Sequence, residues 1–296
     1  MAATQFETFL EEEVRKVRGI AYPVKASLLR RTLVKQVPIT KLHPNPDDEF
    51  CFPTIGPNYE IMSGYVKDYA NFGGDWKSAR FTDSSIRYPL EVQKIYPDGY
   101  MILNGHHRWG AAHQVGISRL PIRINNLTQK EDIQRMLRFS GFNRRVSLDL
   151  DEVVLRPEGD PYLEKPLPFL LNRIYREHLR RGIPALFHTL KVLGYDIWVY
   201  TAKYYSSDYL QYYFLHYGVR VTGIITGMGR KTSGAAAFKK EIEKLLSSRY
   251  QQTVHISNDI VTRTFAGSHS FEEYPLSGSP ETWSRDVMDI MEKLKQ

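Results

Sequence analysis

The sequence predicts an α/β protein of two domains, an N-terminal α+β domain and a C-terminal domain built on a parallel sheet. Its length of 296 residues is about twice that of a typical domain. From residue 146 onward, apolar strands alternate with amphipathic helices, which is typical of a parallel sheet covered by helices on both faces. Before that point, predicted helices and strands follow one another in mixed order. We therefore expect domains at residues 1–145 and 146–296.

The N-terminal domain is predicted to contain helices and strands in mixed order. Apolar residues at helical spacing predict the helices, and Pro97-Asp98-Gly99 predicts a hairpin between two strands. The predicted helices cover residues 4–18, 25–36, 106–115 and 128–140, and the predicted strands cover 37–42, 88–96, 100–104 and 120–125.

The C-terminal domain is predicted to contain four apolar strands separated by helices. Each strand is a short apolar run followed by a turn, and each helix carries an apolar face. The predicted strands cover residues 146–155, 196–201, 221–226 and 253–257, and the predicted helices cover approximately 166–182, 184–193, 206–217, 234–248 and 280–295.

Composition excludes several classes of protein. The single cysteine excludes a disulfide scaffold and a cysteine-rich metal site. No apolar run reaches the roughly 20 residues of a membrane span, and the N-terminus is acidic and amphipathic, unlike a signal peptide. We therefore expect a cytoplasmic protein that does not bind membranes; the sequence does not set its oligomeric state.

The net charge of +7 suggests a phosphorylated or nucleic-acid partner. Residues 1–145 hold 21 basic and 15 acidic side chains, and the remainder hold 19 and 18. The predicted N-terminal domain therefore carries nearly all of the positive excess.

The first apolar strand of the C-terminal domain carries two aspartates, Asp149 and Asp151. In an open parallel sheet, ligands bind beyond the carboxyl ends of the strands. One carboxylate there could attack phosphorus while the other protonates the leaving oxygen, and together they could attract Mg²⁺. Alternatively, they are incidental acids at a solvated strand end.

Three further strand ends carry residues that suit phosphate chemistry. Thr201 ends one strand, Lys231 lies in Gly-Arg-Lys-Thr before a helix, and Asp259 ends the run Ser-Asn-Asp. In this order, after Asp149-x-Asp151, they resemble the four motifs of the haloacid-dehalogenase (HAD) phosphohydrolases, over residues 146–296.

The resemblance implies a HAD-type fold with a minimal cap and a phosphatase that forms an aspartyl phosphate. Asp149 would be the nucleophile and Asp151 the general acid and base. Thr201 and Lys231 would bind the phosphoryl group, with Lys239 and Lys240 as alternatives to Lys231. Asp149, Asp151 and Asp259 would hold Mg²⁺.

The string Gly105-His106-His107-Arg108 lies between a predicted strand and a predicted helix. Backbone N–H groups at the start of a helix form an anion site, and His107 and Arg108 add donors for a phosphate. The alternative is an ordinary strand–helix turn in which the histidines act as caps.

The surrounding residues, about 34–126, resemble the ParB/sulfiredoxin superfamily, and the Gly-His-His-Arg form is most similar to its free-serine-kinase branch. The resemblance implies that Gly105, His106, His107 and Arg108 bind the phosphates of a nucleotide such as ATP or ADP. It also implies an acidic base near the first strand, for which Asp47, Asp48 and Glu49 are candidates and Glu49 is our choice.

The sequence therefore predicts a Mg²⁺-dependent phosphoryl-transfer enzyme, a HAD-type phosphomonoesterase fused to a nucleotide-binding domain that could itself be a kinase. Its partner would be a phosphorylated small molecule or a nucleotide. The alternative is a phosphatase that a non-catalytic basic domain recruits to nucleic-acid ends.

Overall fold

The structure, a computed structural model, describes residues 3–31, 34–71, 88–229 and 235–295. Its contacts divide the chain into two compact units, with Met1–Asn126 in the first and Leu127–Gly229 and Ala236–Gln296 in the second. The division falls after Asn126, whereas the sequence analysis places it after Arg145. None of the helices in the described ranges is long and apolar enough to cross a bilayer.

The first unit contains a six-stranded mixed sheet with helices packed against it. Strand β4 pairs antiparallel with β5 and parallel with β6, and the order is β2-β6-β4-β5-β3, with β1 paired to β4. Val92 of β4 and Ile102 of β5 are fully buried in one core with Trp109 of helix α4. The strands are β1 (Tyr22–Pro23), β2 (Lys35–Pro38), β3 (Leu42–His43), β4 (Leu90–Tyr96), β5 (Tyr100–Asn104) and β6 (Arg119–Ile124), and the helices are α1 (Ala3–Val17), α2 (Leu28–Arg31), α3 (Tyr59–Asn71) and α4 (His106–Val115).

The predicted basic helix at residues 25–36 is much shorter in the structure. Only Leu28–Arg31 is helical among its described residues, and Lys35 and Gln36 already belong to β2. Strand β2 pairs with β6, so tertiary pairing overrides the weak helical preference of this segment.

The second unit is built on another six-stranded sheet, of order β11-β10-β7-β12-β13-β14. Strand β7 is central and pairs parallel with β10 on one side and β12 on the other. Its strands are β7 (Arg144–Asp149), β8 (Leu155–Arg156), β9 (His178–Leu179), β10 (Asp196–Tyr200), β11 (Gly223–Ile225), β12 (Gln252–Ile256), β13 (Ile260–Phe265) and β14 (Phe271–Pro275), and its helices are α5 (Lys130–Arg138), α6 (Phe169–Asn172), α7 (Ile183–Val192), α8 (Ser207–His216), α9 (Ala235–Arg249) and α10 (Trp283–Lys293).

Two parts of this unit differ from the prediction. The helix expected near 166–182 is only one turn, α6. Pro166 and Pro168 precede this turn and keep the helix from starting earlier, and strand β9, which pairs antiparallel with β8, follows it. The hairpin of β13 and β14 was not predicted. Its strands extend the sheet edge antiparallel and are only partly buried, so they lack the apolar runs of the central strands.

Helix α5 explains why the second unit begins before Arg145. Ile133 of α5 is fully buried in a cluster with Trp198 of β10 and Ile225 of β11. Just before the helix, the Thr128 hydroxyl donates to the Ile224 carbonyl at 2.9 Å, and the Thr128 N–H donates to the Thr226 hydroxyl at 3.1 Å. The segment that precedes β7 in sequence therefore belongs to the core of the β7 sheet.

Candidate functional site

The carboxyl edge of the β7 sheet brings three predicted residues together. Strand β7 ends at Asp149, which pairs in register with Tyr200, and Thr201 follows directly. The chain runs from β7 to β10 and β11 on one side and later returns to β12 on the other. Such a reversal of strand order opens a crevice at the carboxyl edge, which is where open α/β sheets bind ligands.

Asp149 is held by the turn that it begins. Its Oδ1 accepts the N–H of Asp151 at 2.7 Å and the N–H of Glu152 at 2.9 Å, and so caps the wide helical turn Leu150–Val154. Among the described residues, no group bonds to Asp149 Oδ2. One carboxylate oxygen is thus fixed, and the other is available for chemistry.

Asp151 contacts both Thr201 and a lysine that the sequence analysis missed. The hydroxyl of Thr201, which is fully buried, donates to Asp151 Oδ2 at 2.7 Å. Lys203 Nζ lies 3.0 Å from Asp151 Oδ1. Lys203 stands three residues beyond the end of β10, and nothing in the sequence distinguishes it there from a solvated lysine.

Asp259, the third predicted metal ligand, is not part of this group. It is exposed in the tight turn between β12 and β13, where the Ser257 N–H donates to the Ile260 carbonyl at 3.0 Å. Its neighbour Asn258 turns toward the site instead, and its Nδ2 donates to the Glu152 carbonyl at 3.2 Å. Within the described residues, no three His, Cys, Asp or Glu side chains converge to hold a metal ion, so the predicted three-aspartate Mg²⁺ site is not formed.

The predicted phosphate-binding Lys231 lies outside the described residues. Its alternatives, Lys239 and Lys240, are exposed on helix α9. Lys203 is therefore the lysine that the described structure brings to Asp151.

The Gly105 turn of the first unit links β5 to helix α4, as predicted. Gly105 has φ of +103°, and a Cβ added there would lie 2.2 Å from Leu90 Cδ2 and 2.9 Å from Arg108 Nη2. Only glycine fits a position that combines this backbone conformation with such close packing. The turn leaves the first N–H groups of α4 without acceptors inside the helix.

His106 and His107 hold loops rather than supply positive charge. Asn45 N–H donates to His106 Nε2 at 3.2 Å, and Asn58 N–H donates to His107 Nε2 at 3.1 Å. The ring of Phe50 stacks on His106 and meets His107 edge-on. Burial lowers the pKa of His106 to about 4 and also lowers the pKa of His107, so both imidazoles are neutral at pH 7.

The acidic residue that the structure brings to this turn is Asp48. Its Oδ1 lies 3.6 Å from His106 Nδ1 and accepts the Phe50 N–H at 3.0 Å. Glu49, our predicted base, follows Asp48 in a short 3-10 turn and is partly buried.

Glu91 is a second acidic residue near the Gly105 turn, and it was not predicted from the sequence. It lies on β4 opposite Asn104, the residue before Gly105, and bonds to the side chains of Arg123 and Asn125. Burial raises the pKa of Glu91, although Arg123 and Arg108 oppose the shift. Sequence patterning does not reveal this acid, because Glu91 alternates with the apolar residues of β4 and such a position predicts a solvent-facing side chain.

Replacing Gly105 with alanine is expected to lower the free energy of unfolding by about 3 kcal/mol, because a Cβ strains the backbone and also collides with Leu90. Gly116, at the other end of α4, is the matched control. Its φ is +81°, but a Cβ there would meet nothing within 4 Å, so Gly116→Ala should cost about 1 kcal/mol. Urea unfolding measures both values, and equal losses would contradict the packing argument.

Lowering the pH from 7 to 5 is expected to destabilise the fold through His106. The unfolded chain takes up this proton near pH 6.5, whereas in the folded protein the pKa is about 4. The stabilising contribution is therefore complete above pH 6.5 and is lost as the pH falls toward 4, which amounts to about 2 kcal/mol at pH 5. His106→Gln, whose amide oxygen can accept the same N–H, should remove this part of the pH dependence in urea unfolding, and an unchanged dependence would refute the assignment.

Comparison with known proteins identifies a ParB-like region in this chain. Residues 82–139 match the ParB N-terminal domain family. The match contains strand β4, the Gly105 turn and helix α5. A search of curated proteins finds no match.

Two solved structures are similar to this chain. One is the C-terminally truncated chromosome-partitioning protein ParB from Caulobacter crescentus complexed with CTP-gamma-S, which is 21% identical with a TM-score of 0.24. That alignment covers 38% of this chain and 56% of the ParB chain. The other is a free serine kinase mutant in complex with AMP, which is 12% identical with a TM-score of 0.22 over 88% of this chain and 82% of the kinase.

Proposed function

We propose that this protein is a phosphoryl-transfer enzyme whose Asp149 site hydrolyses phosphate monoesters and whose ParB-like unit binds a nucleotide. The observation that carries the phosphatase proposal is the meeting of Asp149, Asp151 and Thr201 at adjacent parallel strand ends. The sheet also reverses its strand order at this edge, beside β7. A nucleophile, an acid and a hydroxyl donor in one crevice are the groups that a two-step phosphate hydrolysis needs.

In the first step, Asp149 Oδ2 attacks phosphorus and the bond from phosphorus to the ester oxygen breaks. Asp151 gives its proton to the leaving alkoxide, and an aspartyl phosphate remains. In the second step, Asp151 takes a proton from water, which attacks phosphorus and releases inorganic phosphate and Asp149. The net reaction consumes one water and yields an alcohol and phosphate.

Thr201 and Lys203 would support this reaction from the neighbouring strand end. The Thr201 hydroxyl fixes the Asp151 carboxylate through its 2.7 Å bond. Lys203 Nζ, 3.0 Å from Asp151 and on a largely exposed side chain, can turn to neutralise phosphoryl oxygens. Because the three-aspartate set is not formed within the described residues, the two steps above involve only protein groups and water, and Mg²⁺ is a variable of the assay.

The test is a screen of phosphate release from small phosphomonoesters, nucleotides and phosphorylated oligonucleotides. Each substrate is assayed with Mg²⁺ and with a chelator, and Asp149→Asn protein prepared in parallel provides the background. The proposal expects release above that background for at least one substrate class. Release from every substrate at the background rate would overturn it.

Nucleotide binding by the first unit is supported by the family match, because the match contains the Gly105 turn. We expect ATP, ADP or CTP to bind where the first N–H groups of α4 meet the phosphates. Isothermal titration of the full chain measures this binding. Gly105→Ala should abolish it while Gly116→Ala retains it, and equal affinity in both variants would place the nucleotide elsewhere.

A further inference from the structure

Arg180 is a buried cation at the edge of the β7 sheet. It follows strand β9, only 4% of it is exposed, and its guanidinium lies 3.7 Å above the ring of Trp283. Its backbone N–H donates to the Val154 carbonyl at 2.9 Å. Burial lowers the pKa of Arg180 to about 10, which still leaves the side chain charged at pH 7.

Within the described residues, this cation has no bonded counter-ion. Its Nη1 donates to the Asn258 amide oxygen at 2.7 Å and to the Val153 carbonyl at 3.5 Å, and both acceptors are neutral. In the part of the chain that the structure describes, no carboxylate pairs with Arg180 and no group accepts from its Nε or Nη2. Asp160 attracts Arg180 electrostatically but is itself ion-paired with Arg156, with 2.9 Å between Arg156 Nε and Asp160 Oδ2.

A buried charge without a partner is costly, so proteins normally pair such a group or use it to bind a ligand. The Nε and Nη2 donors of a guanidinium form a planar fork that matches two oxygens of a carboxylate or a phosphate. Arg180 thus has the charge, the burial and the donors of an oxyanion site, and its stacking on Trp283 fixes its plane.

Arg180 is connected to the Asp149 turn through one side chain. The Glu152 N–H donates to Asp149, and the Glu152 carbonyl accepts from Asn258 at 3.2 Å. The other end of the Asn258 amide accepts from Arg180 at 2.7 Å. The guanidinium therefore lies on the β12 side of the same crevice, at the point where the strand order reverses.

We propose that Arg180 binds a second acidic group of the substrate, a carboxylate or a phosphate, separate from the phosphoryl group that Asp149 attacks. The substrate class is then a phosphate monoester that carries another oxyanion. This substrate class rests on the proposed function, whereas the binding of an oxyanion at Arg180 is independent of it.

Thermal unfolding of the full chain tests the site without any assay of activity. At equal ionic strength, phosphate and malonate should each raise the unfolding temperature of the wild type relative to chloride, because a ligand that binds only the folded state stabilises it. Arg180→Met should lose most of this rise. Arg181→Met is the matched control, since Arg181 is the exposed neighbour, and it should keep the rise.

A second variant covers the case in which Arg180→Met does not fold. Asn258→Asp places a carboxylate where the amide oxygen now lies 2.7 Å from Nη1, so it supplies the missing counter-ion and should remove the rise in an otherwise folded protein. No rise in the wild type, or an equal rise in the wild type, Asn258→Asp and any folded Arg180→Met, would overturn the site.

The substrate class is tested with two aryl esters, phenyl phosphate and 4-carboxyphenyl phosphate. Arg180→Met, or Asn258→Asp in its place, should lower kcat/KM for the carboxylated ester at least tenfold more than for phenyl phosphate. Equal effects on both esters would refute the class. If neither ester nor any other phosphomonoester is hydrolysed while the anion-dependent rise persists, the proposed function fails and the oxyanion site stands.

Discussion

Replacing Asp149 with asparagine is expected to lower kcat for phosphomonoester hydrolysis at least a thousandfold. An amide oxygen is a poor nucleophile toward phosphorus and cannot form the acyl phosphate, so the two-step route closes. The fold should survive, because asparagine Oδ1 can accept the same two N–H groups that Asp149 Oδ1 accepts at 2.7 and 2.9 Å. Phosphate release and the urea unfolding midpoint, measured on the same preparation, separate these two effects.

Asp289→Asn serves as the control for a lost carboxylate, because Asp289 is exposed on helix α10. It should retain full activity. Thr201→Val should lower kcat by about ten- to a hundredfold, since it removes the hydroxyl that orients Asp151 but leaves both carboxylates. An Asp149→Asn enzyme with more than a tenth of wild-type activity would exclude the aspartyl phosphate.

Replacing Asp196 with alanine is expected to lower the free energy of unfolding by about 4 kcal/mol. Asp196 is 4% exposed at the start of β10 and accepts four hydrogen bonds of 3.1 to 3.3 Å. The donors are the N–H groups of Gly141 and Phe142 and the hydroxyls of Thr222 and Tyr250. Alanine leaves these donors without their acceptor, and hydrogen bonds to a charged group are the stronger kind.

The Tyr250 hydroxyl belongs to the same network and accepts from Trp198 Nε1 at 2.8 Å. Burial raises the pKa of Tyr250 to about 12, so its hydroxyl remains a donor to Asp196 at physiological pH. Asp289→Ala, a deletion of an exposed carboxylate, should change stability by less than about 0.5 kcal/mol. Urea unfolding measures the free energy of unfolding of Asp196→Ala and Asp289→Ala. Similar losses in both variants would show that the Asp196 network contributes little.

The central strands of the second unit could be predicted because their apolar runs are continuous. Strands β7, β10, β11 and β12 lie within or close to the predicted spans. The strand ends then fix which residues meet, so Asp149, Asp151 and Thr201 follow from the sequence pattern alone. Lys203 could not be recognised in the same way, because an exposed lysine after a strand is indistinguishable from a solvated one until its partner is known.

Asp259 illustrates a different limit. The sequence predicts an acidic residue near the end of β12, but it does not predict the direction in which each side chain of a tight turn points. The turn between Ser257 and Ile260 leaves Asp259 exposed and points Asn258 at the Glu152 carbonyl. A shift of one residue in such a turn exchanges a carboxylate for an amide, and periodicity cannot decide between them.

The position of the unit boundary also changes the meaning of the charge. Residues 1–126 contain 16 basic and 13 acidic side chains, a net charge of +3, and residues 127–296 contain 24 and 20, a net charge of +4. The boundary at Asn126 thus lowers the net charge of the N-terminal segment from +6 to +3. The other half of that excess comes from residues 127–145, which contain five basic and two acidic side chains.

Helix α5 has a consequence for how this chain can be divided experimentally and genetically. The ParB-like match extends to residue 139, yet Ile133 of α5 is buried against β10 and β11. A gene fragment that starts at Val146 would encode the β7 sheet without the helix that covers this apolar surface. Modules of this chain should therefore be exchanged at Asn126, because a cut after residue 139 would separate helix α5 from the apolar surface of the β7 sheet that it buries.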